Sequence, residues 1–206
     1  LKLNRLKILK KCKNFNFLKI DITKEKSINL LKKYKIEYII HLAASSHVDR
    51  SISDPGAFIE TNVLGTFNLL EACRVLWEDN YSQCRFVHVS TDEVFGSLGK
   101  TGVFSETSPY QPNSPYSASK AGADHLVRAY NQTYNFPSII TNCSNNFGPF
   151  QFPEKLIPKT VHLAVCEKSI PVYGNGSNVR DWLYVKDHVD ALWLALVKGK
   201  TGESYN

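Results

Sequence analysis

The chain has 206 residues, of which 43% are hydrophobic and 21% charged, the balance of a protein that can bury a core. No apolar run reaches the roughly 18–20 residues of a membrane span, and the first residues lack a secretion-signal pattern, so we expect neither a membrane partner nor export. The net charge of +6 is concentrated in the first twenty residues without alternating aromatics, which predicts the solvated face of a helix and no nucleic-acid partner.

Short apolar runs alternate along the chain with longer segments whose apolar residues recur at helical spacing. This pattern predicts strands over residues 15–20, 38–44, 85–89 and 138–142, and helices over residues 24–34, 56–77 and 115–134. From residue 150 the pattern changes to helices over 155–167 and 187–198 and short strands over 171–173 and 181–185. The alternation predicts an α/β fold, a Rossmann-like, doubly wound parallel sheet covered on both faces.

Polar clusters follow the predicted strands. They comprise Asp21 and the segments 43–46, 90–93 and 143–146. Ligands of parallel α/β sheets bind beyond the carboxyl ends of the strands, so these clusters mark the predicted site.

Tyr116 and Lys120 are separated by one helical turn, so their side chains share a helix face. A lysine charge about 6 Å from a phenol, at an effective dielectric near 20, is worth roughly 3 kcal/mol, or about two pKa units. We therefore predict that Lys120 lowers the pKa of Tyr116 and makes it a general base. The alternative is an exposed helical pair without a function.

Thr91, Asp92 and Glu93 follow the third predicted strand. Adjacent strand residues point to opposite faces, so the two carboxylates can share a site only if the chain leaves the sheet there. Residues 94–96 permit such a turn, and two acids in one pocket acquire different pKa values suited to acid and base roles. An ordinary surface loop is the alternative.

The five cysteines are scattered and form no C-x-x-C pair. This spacing argues against a disulfide framework or a metal site and favours reduced thiols in the cytoplasm.

Five segments together resemble the dTDP-glucose 4,6-dehydratase family of extended short-chain dehydrogenases. They are HLAASSHVDRS (41–51), STDEVFG (90–96), SPYSASK (114–120), NCSNNFGP (142–149) and RDWLYV (180–185). The resemblance implies a nucleotide-sugar substrate, dTDP-glucose, and NAD that is reduced and regenerated within one turnover.

The resemblance also implies roles for the catalytic residues. Tyr116 would take the proton of the sugar C4 hydroxyl, with Lys120 on the nicotinamide ribose and Thr91 on the C4 oxygen. Glu93 would remove the C5 proton while Asp92 protonates the departing C6 hydroxyl.

Further residues are implied for binding. Those for NAD are Asp21, Ile22, Leu42, Ala43, Ala44, Ser46, Thr61, Tyr116, Lys120 and Asn146. Those for the nucleotide-sugar are Ser46, Thr91, Asn145, Lys155, Leu156, Pro171, Val172, Tyr173 and Arg180.

The family's phosphate loop, G-x-x-G-x-x-G, does not occur in the sequence. The resemblance therefore implies an incomplete NAD-binding domain over residues 1–150 that lacks its first two strands. Residues 151–206 would be part of a substrate-binding subdomain interleaved with the last Rossmann elements. We expect the natural protein to be longer at both ends and to form a homodimer through helices 56–77 and 115–134. The 206-residue chain alone should show negligible turnover.

Two other functions remain open. A nucleotide-sugar 4-epimerase or decarboxylase of the same superfamily would keep Tyr116 and Lys120 but needs no Asp92–Glu93 pair. A non-catalytic nucleotide-binding module would bind without turnover.

Overall fold

The computed structural model describes residues 2–24, 31, 33–78, 80–172 and 174–206. The chain forms two compact units. One, the peripheral unit, comprises Leu1–Lys19 and Ser144–His188, and the other, the sheet unit, comprises Ile20–Cys143 and Val189–Asn206. The first residues therefore group with the peripheral unit, and residues 189–206 group with the sheet unit.

Helices account for much of the described chain. They are α1 (Lys2–Leu9), α2 (Val48–Ser53), α3 (Pro55–Phe58), α4 (Gly65–Trp77), α5 (Pro115–Tyr134), α6 (Leu156–Val165) and α7 (Val185–Lys198). Single 3₁₀ turns lie at Tyr81–Gln83 and Asp92–Phe95, and a π-helical segment at Ile59–Leu64 joins α3 to α4. No helix in the described ranges is both long and apolar enough to cross a bilayer.

The sheet unit contains a parallel sheet of four strands, which confirms the predicted fold class. Its strands are β1 (Tyr38–His41), β2 (Arg85–Thr91), β3 (Ser138–Cys143) and β6 (Ser204–Tyr205), in the order β1-β2-β3-β6. Val87 of β2 lies opposite Ile40 on one side and Ile139 on the other. Because all four strands run in one direction, their carboxyl ends meet at one edge of the sheet.

Both faces of the sheet are covered by helices. On one face Phe86 packs with Leu70 and Trp77 of α4 and Val127 of α5. On the other face Val87, Val89 and Ile139 pack against α7, through Leu192 and Leu196. Phe86 and Val87 therefore point to opposite faces, as the two-residue period of a strand requires.

The single helix predicted over residues 56–77 is divided. Asp54 caps α3 by accepting a hydrogen bond from the Ala57 amide, Pro55 is its first residue, and the π-helical segment follows. At the start of α4 a Cβ on Gly65 would lie 2.7 Å from Ile22 Cδ1, so the small residue permits close packing of the segment around Ile22.

The peripheral unit contains a two-stranded parallel pair, β4 (Asn145–Phe147) with β5 (Trp182–Tyr184). The helices α1 and α6 and the start of α7 complete it. Neither β4 nor β6 was predicted, because both strands are only two or three residues long.

Several sequence predictions are wrong. Residues 15–20 are mostly exposed and form no strand, because nothing in the described chain pairs with them. The strand over residues 38–44 ends at His41, and residues 171–172 are not a strand. The predicted helix over 24–34 lies largely on residues 25–30 and 32, outside the described residues.

Candidate active site

The end of β2 is built to leave the sheet, as the sequence predicts. Thr91 is the last strand residue, and its hydroxyl accepts a hydrogen bond from the Glu93 amide at 3.3 Å, which caps the 3₁₀ turn Asp92–Phe95. Thr91 also donates to Asp92 Oδ1 at 3.2 Å. Gly96 then adopts a φ of 91°, and a Cβ there would collide with the carbonyl oxygen of Gln111. The turn therefore requires glycine.

Buried aromatic packing anchors this turn. Phe95 is 3% exposed, and its ring stacks on Phe104 and meets Tyr110 edge-on, both at 5.3 Å between centroids. Val94 is fully buried beside it. Asp92 and Glu93 thus stand on a rigid turn rather than on an ordinary surface loop.

Helix α5 positions Tyr116 and Lys120. Its start is fixed by a reciprocal capping box between Ser114 and Ser117, with Pro115 in the first turn. Tyr116 is 8% exposed and Lys120 4%, so the alternative of an exposed helical pair is excluded.

Tyr116 and the end of β2 converge on one site. The Thr91 side chain is hydrogen-bonded to the Tyr116 phenol, and the charges of Glu93 and Asp92 act on it electrostatically. Burial and then the Glu93 charge raise the pKa of Tyr116, while the Thr91 hydrogen bond lowers it. A hydroxyl, two acids and a phenol therefore lie near one another, and these are the kinds of group that acid–base chemistry on a sugar uses.

The prediction that Lys120 lowers the pKa of Tyr116 is wrong for this structure, in which that pKa is raised. The Lys120 ammonium instead donates a hydrogen bond to the carbonyl oxygen of Val89 at 2.8 Å. Burial also lowers the pKa of Lys120 itself. The helical spacing correctly predicted that Tyr116 and Lys120 share a face of the helix, but it did not predict the hydrogen-bond partner of the Lys120 ammonium.

A buried asparagine that the sequence reading missed ties two of the predicted regions together. Asn62, 1% exposed, accepts a hydrogen bond from the Ser45 amide at 2.8 Å and donates to the Ser45 carbonyl at 3.0 Å. It also donates to Ser119 Oγ at 2.8 Å. One side chain thus fixes the loop after β1 against α5, the helix of Tyr116.

A second missed residue is Asp124, which is 1% exposed. Its Oδ2 accepts hydrogen bonds from Ser90 Oγ at 2.7 Å and from the Tyr110 hydroxyl at 3.0 Å. The available signal was its position eight residues after Tyr116, which places it on the same face of α5.

The predicted NAD residues of the sheet unit lie at turns and at the strand edge. Asp21 accepts hydrogen bonds from the Thr23 amide at 3.0 Å and its hydroxyl at 2.8 Å, and these hydrogen bonds lower the pKa of Asp21. The Ile22 carbonyl accepts from Asn68 Nδ2 at 3.1 Å. The remaining predicted residues are exposed on the loop after β1 (Leu42, Ala43, Ala44, Ser46) or half-buried in the π-helical segment (Thr61).

The remaining predicted binding residues belong to the peripheral unit. Asn145 and Asn146 are in β4, Lys155 and Leu156 begin α6, and Pro171, Val172 and Arg180 are exposed in non-helical segments. Tyr173 lies outside the described residues. In the described ranges no three His, Cys, Asp or Glu side chains are grouped as a metal site.

A family model described as GDP-mannose 4,6 dehydratase matches residues 2–206. The chain belongs to the GDP-mannose 4,6 dehydratase family. Within this family, it is 56% identical over 181 residues to a dTDP-glucose 4,6-dehydratase of Xanthomonas campestris pv. campestris, covering 86% of the chain and 52% of that relative. The resemblance drawn from the five motifs is thereby confirmed.

Solved structures of similar proteins give the same fold. The chain matches a dTDP-glucose 4,6-dehydratase of Bacillus anthracis in complex with NAD, with a TM-score of 0.88 and 46% identity over 99% of this chain and 62% of that one. It also matches a UDP-glucuronic acid 4-epimerase of Bacillus cereus, with a TM-score of 0.88 and 28% identity over 99% and 63% of the two chains. The chain spans about half the length of the curated relatives it matches.

Proposed function

We propose that the protein carrying this chain is an NAD-dependent dehydratase that converts dTDP-glucose into dTDP-4-keto-6-deoxyglucose. The observation that carries the proposal is the convergence of Thr91, Asp92, Glu93 and Tyr116 on one site. The high identity to proteins named dTDP-glucose 4,6-dehydratase supports the substrate.

The donor set fits a dinucleotide. Asp21 offers a carboxylate held in place by Thr23, which suits the adenosine end. Leu42, Ala43 and Ala44 offer an exposed strip of apolar and small side chains beyond β1. Lys120 offers a buried ammonium one helical turn after Tyr116, hydrogen-bonded to the Val89 carbonyl. When bound, NAD would accept the hydride from C4 and return it to C6 after the loss of water, so that the cofactor ends each turnover oxidised.

The first proton transfer falls to Tyr116. Burial and the Glu93 charge raise its pKa, so the phenol must first release its own proton to solvent. The resulting phenolate would then accept the proton of the C4 hydroxyl as C4 is oxidised. In this proposal the Thr91 hydroxyl holds the C4 oxygen.

Elimination falls to the two acids of the 3₁₀ turn. Once C4 is a ketone, the C5 hydrogen is acidic, and Glu93 removes it as general base while Asp92 gives a proton to the departing C6 hydroxyl. Thr91 Oγ1 donates a hydrogen bond to the carboxylate of Asp92. The proposal requires that one of the two neighbouring carboxyl groups be protonated while the other is ionised.

The peripheral unit supplies contacts to the nucleotide-sugar in this proposal. Arg180 is suited to the diphosphate because a guanidinium binds two oxygens at once. Asn145, Lys155, Leu156, Pro171, Val172 and Tyr173 complete the proposed substrate contacts, together with Ser46 and Thr91, and Asn146 and Thr61 contact NAD.

The rival epimerase or decarboxylase is less well supported, because neither reaction uses the acids held at 92 and 93. To test this, the full-length protein that carries this chain is incubated with NAD and dTDP-glucose. The product is then examined in alkali, where a 4-keto-6-deoxy sugar absorbs and a 4-epimer does not. The dehydratase proposal predicts the absorbing product. An epimer, or binding of both ligands without any product, would contradict it.

We also propose a homodimer formed through α4 and α5 and a cytoplasmic location. Both helices lie in the sheet unit, and Phe67, Val75 and Tyr134 on them are 39–48% exposed. The five cysteines are free thiols, which is typical of a reducing compartment. Sedimentation should give twice the chain mass, and Phe67→Glu should return a monomer.

A further inference from the structure

Three ionisable side chains stand in a row on one face of α5. Tyr116, Lys120 and Asp124 are spaced by four residues each, which places them on successive turns of the helix. All three are buried, with exposures of 8%, 4% and 1%. Buried charges of this kind are found where a partner compensates them.

The Asp124 carboxylate is held from the strand side of the helix. Ser90 and Tyr110 both donate to Oδ2, and Ser90 directly precedes Thr91 at the end of β2. His88 Nε2 lies 3.1 Å from Oδ1, close enough for an electrostatic contact although its angle is poor for a hydrogen bond. The carboxylate therefore connects α5 to the strand that carries the proposed catalytic residues.

Titratable groups on its own helix and on three neighbouring strands act on the Lys120 ammonium. Burial is the largest effect and lowers the pKa of Lys120, whereas Asp124 on its own helix and Cys143 on β3 raise it. His88 of β2 and His41 of β1 face the same ammonium, and burial lowers the pKa of both imidazoles, with Lys120 adding to the effect. Asp124 lies one turn from Lys120 on α5 and its charge acts on the ammonium, while His88 Nε2 contacts the same carboxylate.

We propose that Asp124 is a positioning residue of this site: its carboxylate is the buried counter-ion of Lys120 and, through Ser90 and Tyr110, fixes the end of β2 that presents Thr91. Asp124 touches neither substrate nor cofactor in this account and acts through Lys120 and Thr91. The inference rests on the proposed function only for its effect on turnover. The pairing of Asp124 with Lys120 can be measured without it.

The pairing is tested by a double-mutant cycle on urea unfolding of the protein, with Asp124→Asn and Lys120→Met. Asparagine keeps an acceptor for Ser90 and Tyr110 but removes the charge. We expect Asp124→Asn to lower the folding equilibrium constant at least about tenfold more when Lys120 is present than in the Lys120→Met background. The control pair, Tyr110→Phe with Lys120→Met, removes a neutral hydrogen bond to the same oxygen and should show a clearly smaller non-additivity. Additive effects of Asp124→Asn and Lys120→Met would overturn the proposal.

Turnover gives a second reading. If the protein is a dehydratase, Asp124→Asn should move the alkaline limb of its pH–rate profile to lower pH by about one unit or more, because Lys120 loses its counter-charge. Tyr110→Phe should leave that limb in place. An unchanged limb in an active Asp124→Asn enzyme contradicts the inference while leaving the dehydratase proposal intact. Absence of dehydration in the wild-type protein contradicts the proposed function, and the unfolding cycle still decides the pairing.

If the Asp124→Asn variant does not fold, the wild-type protein can be examined instead. With ¹³C-labelled lysine, the Cε signal of Lys120, assigned by its loss in Lys120→Met, should report an ammonium at pH 7. A neutral amine at that pH would overturn the proposal.

Discussion

The sheet unit and the peripheral unit bury their polar groups very differently. In the sheet unit the proposed catalytic residues stand on a core in which Asn62, Ser119, Lys120 and Asp124 are each at most 4% exposed and hydrogen-bonded to neighbouring elements. In the peripheral unit, of the residues that the structure describes, His188 alone is buried.

The hydrogen bonds follow the same division. Arg180 donates to the adjacent Val179 carbonyl, and Ser177 donates to Asn175, so these contacts are local. The difference teaches that the helix of Tyr116 is held to the sheet by buried contacts distant in sequence, whereas the segment around Arg180 has only local side-chain hydrogen bonds among those described. We therefore expect substitutions in the sheet unit to affect kcat and stability, and those in the peripheral unit to affect KM.

The largest expected effect is on the proposed base. Glu93→Gln removes the group that takes the C5 proton, and we expect kcat for dehydration to fall about 10²–10⁴-fold. The measurement is formation of the alkali-absorbing product. Gln111→Glu, a charge change beside the turn, is the control and should retain most activity. Undiminished turnover of Glu93→Gln would remove this residue from the mechanism.

The next largest effect is expected in the free energy of unfolding, where a substitution in the sheet unit is compared with one in the peripheral unit. Phe86→Ala empties a fully buried position between sheet and helices, and we expect a loss of about 3–5 kcal/mol in the free energy of unfolding. Val161→Ala on α6, where the side chain is 57% exposed, should change it by less than about 0.5 kcal/mol. Urea unfolding of both variants tests this. Equal losses would mean that the peripheral unit has a core as well packed as the sheet unit.

Asn62 tests whether the buried polar contacts of the sheet unit contribute to stability, because this polar side chain is 1% exposed. Asn62→Ala leaves the Ser45 amide and carbonyl without their partner, and we expect a loss of about 1–3 kcal/mol in unfolding free energy. Asn113→Ala, which removes an exposed hydrogen bond to Ser97, is the matched control and should be nearly neutral. The prediction fails if both variants unfold at the same urea concentration.

The buried histidines predict a moderate pH effect. Burial lowers the pKa values of His41 and His88 below the ordinary 6.5, so the unfolded chain binds protons in a pH range where the folded chain does not. Their contribution to stability is complete above about pH 6.5 and is lost as the pH falls below it. Thermal unfolding from pH 8 to pH 5 should show a decline that His41→Gln reduces. The exposed His162→Gln is the control, and an equal reduction by it would contradict the assignment.

The smallest effect is expected in the peripheral unit. Arg180→Lys keeps the charge but loses the bidentate fork, so KM for dTDP-glucose should rise by about tenfold or less with little change in kcat. Steady-state kinetics separate the two constants. A fall in kcat at constant KM would place Arg180 with the reacting groups instead.

Local patterns predicted much of this molecule. The helical spacing of Tyr116 and Lys120, and the position of Thr91 to Glu93 at the end of a strand, were enough to expect Tyr116 near the end of β2. Both signals depend on geometry within a few residues. The alternation of strands and helices likewise predicted β1, β2, β3 and α5. The prediction of a strand over residues 15–20 was wrong because a strand needs a hydrogen-bonded neighbour, and periodicity does not report whether one is present.

The buried polar contacts could not be predicted from local sequence patterns, because they join residues that are far apart in the chain. Asn62 bonds to Ser119, 57 positions away, and Lys120 donates to Val89, 31 positions away. Whether a lysine serves a nearby phenol or a distant carbonyl depends on the packing of the helix on the strand. The direction of the Tyr116 pKa shift was predicted wrongly because burial and the Glu93 charge, which helical spacing does not report, raise it.

The central claim is that Tyr116, Glu93 and Asp92 act on a single hexose, and an isotope experiment tests it most directly. dTDP-glucose deuterated at C4 is converted by the protein in ordinary water, and the product is analysed by NMR. The account predicts a 4-keto-6-deoxy sugar that carries the deuterium at C6 and a hydrogen from solvent at C5. A 4-epimer, or a 4-keto-6-deoxy product whose deuterium has been lost to solvent, would contradict it.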